Sequence, residues 1–448
     1  MQKKQRRRRL IAWLSAVLCL FPLLAVTAHG ETSALPALDS ADAVYLLHVE
    51  SGRVMGRKSE NTRVPAGASV KLLSGLVACE RLGNSLDQTV TIREEMLVSG
   101  GLRFKLEAGD EYSLRDILLL ALCGSYNDAY DVIAYCVGNG GSAGTAESAT
   151  AGYVALLNAR AKELGATATY IGDPTGVGDN SYTTAADLSR IALAAMKNDI
   201  YLSFVGLRNG ETADGKTFLN RNRLITDSQS GGVQYAGMCI GETNNAGVTL
   251  VALAKKANDS YLLVLLDPKD EEGAASETAA YRLARSLVRW GYANYTNLEV
   301  LSPKTKVCTV PVTVSDMVDA VGVRPSESLY AYLPVGSEVG KDVFLSIRLS
   351  VDELEAPVAE GTPVGFVAAV YAGQVIGTVP LETAESVERS GFVSRLLSVR
   401  NLTKSRRAKA SVIFFVVCMA LWIGVEVYLR RRTKAQWNRY YSSKSRWR

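Results

Sequence analysis

Apolar positions in the first two thirds of the chain recur at two different spacings. Continuous or alternating apolar runs indicate strands over 43–49, 53–57, 234–243, 248–256 and 261–267. Helical spacing lies between and after them, over 70–82, 117–123, 128–137, 153–164, 184–197 and 276–290. Strands at both ends of the sequence with helices between them predict an α/β sandwich over residues 42–297, with a mostly antiparallel sheet.

Two local signals refine this prediction. Ser113 stands three residues before Asp116, a helix-capping pattern, just ahead of the apolar run 117–123. Gly124 then interrupts the apolar sequence before it resumes at Asp128. Two buried helices should therefore meet at a break near Gly124.

The pattern changes at residue 298 to short alternating runs broken by proline and glycine. Such runs lie at 307–314, 343–349 and 365–371, and they predict a small all-β domain over 298–384. Apolar residues interleaved with arginine and lysine make residues 385–410 a basic amphipathic segment, which is typical of a membrane surface.

Two strongly apolar segments lie near the ends of the chain. Residues 10–28 follow an arginine cluster, so residues 1–30 are predicted to be a secretory signal peptide, or an N-terminal anchor if cleavage does not occur. Residues 411–429 are predicted to form a transmembrane helix, since a rise of about 1.5 Å per residue carries them across nearly all of a ~30 Å hydrocarbon core. A buried core helix is the alternative, and the flanking arginines disfavour it.

The net charge of +5 is concentrated at these two ends, and the middle of the chain is mildly acidic. Nucleic acid is therefore not an expected partner. Positive flanks remain in the cytoplasm, so we expect a cell-membrane protein with a basic cytoplasmic tail at 430–448 and its globular part on the outer side.

Histidine and cysteine usage limits the chemistry. The chain has two histidines, His29 and His48, which argues against a Ser-His-Asp triad and against a zinc site built from several histidines. Five cysteines lie between the two apolar segments, an odd number without close spacing, which favours buried free thiols over a disulfide framework. No metal site and no cofactor are expected.

Three short motifs follow one another along the α/β unit. Residues 65–71 enter a helix and end in Lys71, Ser125 and Asn127 lie at the helix break, and residues 237–243 begin a pair of apolar strands. In this order they resemble the Ser-x-x-Lys, Ser-x-Asn and Lys-Thr-Gly motifs of the penicillin-recognising serine enzymes.

More narrowly, the chain is similar to the D-alanyl-D-alanine carboxypeptidases, the peptidase S11 family of low-molecular-mass penicillin-binding proteins. The resemblance covers 42–267, and further stretches that belong to it are 106–110, 157–158, 164–165, 173–177, 184–188 and 220–224. It implies the penicillin-binding, β-lactamase-like fold, with the small β domain and the basic membrane segment following.

The resemblance also implies where the catalytic groups should be, and several are missing. Alignment on Lys71 puts the nucleophile at Ala68, which has no hydroxyl, and alignment on Pro65 and Ala66 puts it at Gly67. The third motif is Cys239-Ile240-Gly241, which lacks the positive charge and hydroxyl that hold the substrate's carboxylate in the family, and Glu242 adds a negative charge.

Three functions remain open. The favoured hypothesis is a catalytically inactive relative that binds peptidoglycan stem peptide or a cell-wall synthesis protein; its candidate binding residues are Lys71, Ser125, Asn127, Gly241 and Thr243. These could equally be relics that hold the cleft together.

The second hypothesis is an active serine-type carboxypeptidase with a substitute nucleophile, Ser69 or Cys239. A structural thiol is the favoured interpretation of Cys239, because no histidine or acidifying partner is near it in sequence. The third hypothesis is a structural membrane partner without a ligand.

Overall fold

The computed structural model describes residues 34–139, 144–226, 232–315, 318–392, 395 and 406–444. These form two compact units, one from the described residues of 30–296 with 332–336, the other from those of 297–331 and from 337 onward. The predicted signal or anchor segment at 1–30 lies outside the described residues, and so does most of the amphipathic segment, at 393–394 and 396–405.

The described residues contain eight α-helices. They are α1 Val70–Leu82, α2 Leu114–Leu122, α3 Asn127–Gly138, α4 Ala146–Glu163, α5 Ala185–Ala195, α6 Asp199–Val205, α7 Glu277–Asn294 and α8 Arg406–Lys444. Short 3₁₀ turns add Gly67–Ser69, Glu94–Met96 and Arg223–Ile225.

The strands fall into a few long ones and many short ones. They are β1 Ala41–His48, β2 Arg53–Lys58, β3 Val64–Pro65, β4 Thr89–Thr91, β5 Glu111–Ser113, β6 Tyr182–Thr183, β7 Asn209–Glu211, β8 Thr217–Leu219, β9 Gln234–Thr243, β10 Gly247–Lys256, β11 Asp259–Pro268, β12 Tyr295–Leu301, β13 Cys308–Thr313, β14 Ala320–Pro325, β15 Leu329–Pro334, β16 Val343–Leu349, β17 Leu354–Glu355, β18 Pro363–Tyr371 and β19 Gln374–Thr383.

The first unit is built on one antiparallel sheet with strand order β2-β1-β11-β10-β9. Alternate side chains of β10 and β11 face opposite sides, so the sheet carries two cores. Val251 and Val264 pack with the helices α1 to α6, whereas Leu250 and Leu265 pack with α7. Helices on both faces of a mostly antiparallel sheet confirm the predicted α/β sandwich.

The break between α2 and α3 positions the middle motif. The Ser113 hydroxyl oxygen accepts a hydrogen bond from the Asp116 N–H at 3.0 Å, which caps α2 as its sequence predicts. α2 ends at Leu122 and α3 begins at Asn127, so Ser125 lies in the short connection between two buried helices.

Several boundaries differ from the sequence prediction. α4 begins at Ala146, earlier than the predicted residue 153, because its first two turns are rich in small and polar residues that give no apolar signal. The sequence pattern also missed α6, a helix of seven residues, and the strand pairs β3–β6, β4–β5 and β7–β8, whose strands of two or three residues are too short to show a period.

The second unit contains a six-stranded sheet of order β16-β18-β19-β14-β13-β17. Its pairs are antiparallel except β13 with β17, which is parallel. Helix α8 follows, and within the described residues it is the one helix long and apolar enough to cross a membrane, over Lys409–Lys434. Its apolar side chains, including Phe414 and Trp422, are exposed.

Candidate functional site

The first motif lies in a 3₁₀ turn that leads into α1. Ala68 is in this turn, and its side chain is a buried methyl group that packs against β9. A Cβ atom on Gly241 would lie 2.5 Å from the Ala68 Cβ, so glycine is required there for the strand to come this close. The nucleophile position of the alignment is therefore a tightly packed alanine.

Lys71 is the polar centre of the site. It lies in the first turn of α1, and its Nζ donates hydrogen bonds to the Ser125 carbonyl oxygen at 2.6 Å and to the Ser125 Oγ at 3.1 Å. The side chain is buried, and burial lowers the pKa of Lys71 to about 8. The first and second motifs, far apart in sequence, are thus joined by direct hydrogen bonds.

Ser125 is held in an uncommon backbone conformation. Its φ is +58°, a left-handed value that costs free energy for a residue with a Cβ and is retained only where the surroundings enforce it. The connection from α2 to α3 imposes this conformation, and the result is that both the carbonyl and the hydroxyl of Ser125 reach Lys71.

Asn127 is the first residue of α3 and is buried. Its Nδ2 donates to the Gly100 carbonyl oxygen, and its backbone N–H donates to the Leu102 carbonyl oxygen at 2.7 Å. The Asn127 Oδ1 is buried and has no hydrogen-bond partner among the described residues. Residues 98–104 therefore cover Asn127 and leave one amide oxygen with unused capacity.

Cys239 lies in β9, at the position where the motif resemblance puts the lysine of the third motif. Its Sγ lies 3.1 Å from the Ala68 carbonyl oxygen, to which the thiol donates. Burial raises the pKa of Cys239 to about 11, although the nearby Lys71 and Arg221 lower it. The thiol is therefore neutral at pH 7.

The neighbours of Cys239 on β9 point elsewhere. Ile240 packs into the core on the α7 side of the sheet. The Thr243 Oγ1 accepts a hydrogen bond from the Ala246 N–H at 3.3 Å and lies against Gly67. The structure thus brings Lys71 together with Ser125 and Cys239, while Gly241 and Thr243 border the 3₁₀ turn.

Sequence reasoning missed a charged pair at this site. Arg221 lines the same small pocket as Lys71, Ser125 and Cys239, and its guanidinium forms a two-pronged ion pair with Glu277, with one Nη–Oε distance of 2.9 Å. The residues are 56 apart in the chain, so no local pattern could join them. The positive charge of Arg221 in this pocket is therefore already neutralised by Glu277.

Two acidic residues in α3 hold the loop that covers the site. Asp128 accepts hydrogen bonds from the backbone N–H groups of Phe104, Lys105 and Leu106 at 2.8–3.1 Å. Asp131 accepts from the backbone of Val98 and Ser99 and from the Ser99 hydroxyl. These contacts fix the loop over Asn127. No local sequence pattern indicates these contacts, because the partners are over 20 residues away.

The layered α/β unit, the Lys–Ser junction at the helix break and the β domain that follows define a class, the penicillin-binding proteins. The crystal structure of penicillin-binding protein 5 from Haemophilus influenzae superposes with a TM-score of 0.58 at 21% identity, covering 80% of this chain and all of that one (100%). Penicillin-binding protein 6B from Escherichia coli gives 0.58 at 19% identity over 78% of this chain and 97% of that one. These likenesses confirm the predicted fold.

The chain belongs to the D-alanyl-D-alanine carboxypeptidase family, because the sequence model of that family matches residues 30–270. A second family model, described as "Penicillin-binding protein 5, C-terminal domain", matches residues 295–389. The carboxypeptidase DacD of Salmonella typhimurium is 26% identical over 402 residues, 87% of this chain and 97% of the relative. DacF of Bacillus subtilis is 25% identical over 364 residues, 80% of this chain and 88% of the relative. The family resemblance inferred from the motifs is confirmed.

Proposed function

We propose that this chain is a catalytically inactive member of the carboxypeptidase family that binds peptidoglycan stem peptide, or a cell-wall synthesis protein, on the outer face of a membrane. The observation that carries the proposal is Ala68 at the nucleophile position, one helical turn before a Lys71 that donates two hydrogen bonds to Ser125. A methyl group cannot attack a carbonyl, and acyl transfer by this fold needs that attack.

The electrostatics support the same conclusion. The substrate's terminal carboxylate needs a positive partner, and the third motif offers a neutral thiol and an isoleucine that is turned into the other core. Arg221 is paired with Glu277. Neither the third motif nor the paired Arg221 can therefore hold a carboxylate as a free lysine would, and Lys71 in the same pocket is already hydrogen-bonded to Ser125.

An active enzyme with a substitute nucleophile is less well supported. The Ser69 hydroxyl is buried and donates to the Ala66 carbonyl oxygen at 2.5 Å, so it is directed into its own turn. Cys239 is also buried, with a raised pKa, whereas a nucleophilic cysteine needs a lowered one. Among the described residues, no histidine contacts either group.

The unpaired Oδ1 of Asn127 supports peptide binding, because it can accept a hydrogen bond from an amide N–H if the 98–104 loop moves aside. A second candidate, a structural membrane partner without a ligand, is favoured by the burial of Ala68, Lys71, Ser125, Asn127 and Cys239. The peptide-binding role requires the site to open to solvent, whereas the structural role does not.

The membrane placement rests on α8. Its apolar side chains over Lys409–Lys434 are exposed and pack against no other part of the described structure. The hydrocarbon core of a membrane would bury them. The arginines that follow favour a cytoplasmic C-terminus, which puts the globular units on the outer side.

The test of inactivity is covalent labelling. Full-length protein in detergent is incubated with a fluorescent penicillin, and its intact mass is recorded beside an Ala68→Ser, Cys239→Lys, Ile240→Thr variant whose folding is checked by thermal melting. We expect no adduct on the wild type and labelling of the variant. A stoichiometric adduct on the wild type would refute inactivity and indicate a nucleophile other than residue 68.

The binding half is tested separately by calorimetric titration with a stem pentapeptide that ends in D-Ala-D-Ala. We expect saturable binding that Asn127→Ala weakens, with the exposed Asp87→Asn as matched control. Heats no larger than dilution for the wild type would favour the ligand-free structural role instead.

A further inference from the structure

A buried histidine faces two carboxylates at the far end of the main sheet from the motifs. His48 is the last residue of β1, Glu50 lies in the turn that follows, and Asp259 is the first residue of β11. The register pairs His48 with Tyr261, whereas the β9–β10 turn, at Thr243 and Gly247, closes the opposite end. Asp259 is far from His48 and Glu50 in sequence, and the pairing of β1 with β11 brings it beside them.

The environment of His48 leaves one ring nitrogen without a hydrogen bond. The side chain is 2% exposed, and its Nδ1 lies 2.8 Å from the Ser51 Oγ. The Nε2 is buried and makes no hydrogen bond within the described residues. It is directed between Glu50 Oε2 and Asp259 Oδ1, each 3.4 Å away. A buried polar atom without a hydrogen-bond partner destabilises the folded state, so the unpaired Nε2 between two carboxylates indicates a binding site for a ligand.

The distances suit a metal ion. With metal–ligand bonds of about 2.0–2.2 Å, two ligand atoms of a tetrahedral site lie about 3.3–3.6 Å apart. Both distances from the Nε2 match that spacing, and all three ligand atoms lie within 4.8 Å of one another. We propose that His48, Glu50 and Asp259 bind a divalent transition-metal ion, with Zn²⁺ as the best fit, and that water completes the coordination.

The donor set selects the kind of ion. Ca²⁺ and Mg²⁺ require six or more oxygen ligands, whereas one imidazole with two carboxylates suits zinc and its first-row neighbours. Glu50 and Asp259 are partly exposed, at 40% and 25%, which gives an ion a path from solvent.

A supporting layer holds the ligands in place. The Ser260 N–H donates to Glu50 Oε2 at 2.7 Å, and the Ser51 hydroxyl orients the imidazole through Nδ1. The Tyr332 ring, which belongs to the same unit, stacks on the imidazole with centroids 3.5 Å apart and 4° between the planes. Such contacts around the ligands are usual in metal sites. The ion would tie the turn after β1 to the turn before β11.

The test measures metal binding by the full-length, untagged protein in detergent after treatment with a chelator. Zn²⁺ is titrated in competition with a chromophoric indicator, and Co²⁺ absorption reports the coordination geometry. Variants Asp259→Asn and Glu50→Gln remove one charged ligand each and preserve shape, and Asp87→Asn is the control at an exposed site.

We expect one equivalent of Zn²⁺ in the wild type and in Asp87→Asn, and affinity lower by at least about tenfold in the two ligand variants. The melting temperature should rise with Zn²⁺ only where the affinity is retained. No binding, or equal binding by the wild type and Asp259→Asn, would overturn the proposal and leave an ion pair between a histidine and two acids. The penicillin-labelling result is independent of this outcome.

Discussion

Lys71 is the residue at which burial has the clearest electrostatic consequence. Its pKa is about 8 in the folded chain and near 10.5 when unfolded, so between these values the unfolded state binds more protons. The free energy of unfolding contributed by Lys71 therefore rises with pH across that window, by an amount on the order of 3 kcal/mol.

The variant that tests this expectation is Lys71→Met, which keeps an unbranched side chain of similar length and removes the amine. We expect the stability of the wild type relative to this variant to increase between pH 8 and 10.5, measured by urea unfolding at several pH values. The buried thiols, whose raised pKa values give the opposite trend, are present in both proteins. Parallel pH profiles would show that Lys71 is not desolvated.

Gly176 is a second residue whose identity is dictated by its surroundings. Its φ is +79°, and a Cβ there would overlap the carbonyl oxygen of Gly67, in the turn that carries Ala68. Gly215 has nearly the same φ, +82°, but open space around it. We expect Gly176→Ala to cost about 1–3 kcal/mol more than Gly215→Ala, because only the first adds a clash to the backbone strain. Equal losses in thermal unfolding would contradict the close approach.

The element that controls access to the candidate site is the 98–104 loop, held by the start of α3. Asp128 accepts three backbone N–H bonds and is fully buried, so Asp128→Asn should destabilise the protein by about 1–3 kcal/mol. We expect limited proteolysis to cut near residue 104 faster in this variant than in the exposed Asp87→Asn control. Unchanged cleavage would mean that the loop is held by other contacts.

At the level of elements, the sequence predicts what depends on local periodicity. The strands 234–243 and 343–349, and the cap at Ser113, follow from apolar alternation and a hydroxyl at a helix start, and the structure confirms them. The early start of α4 does not follow, since its first turns are exposed and small.

The candidate site divides in the same way. Ala68, Lys71, Ser125 and Cys239 could be identified because each stands in a short motif of a known family. The loop anchors at Asp128 and Asp131, the Arg221–Glu277 pair and the His48–Asp259 approach could not, because each depends on a tertiary contact between distant segments. Local sequence carries no information about which distant side chain a buried charge will meet.

At the scale of the whole molecule, the two units that match the carboxypeptidase family are followed by a long apolar helix, and on the proposed function that helix is a membrane tether. A tether would keep a binding protein of low affinity concentrated near nascent peptidoglycan, since attachment raises its effective concentration. On the proposed function, the anchor therefore matters as much as the site.

The anchor itself can be tested by truncation. A chain that stops after Lys409 lacks the apolar part of α8, so we expect it to leave the membrane fraction, while the full chain resists carbonate extraction. Intact mass of the released protein shows whether residues 1–28 have been removed. Release together with a shortened N-terminus would support a cleaved signal and a single C-terminal anchor. Retention of the truncated chain with residues 10–28 intact would refute it and make the N-terminal segment a second anchor.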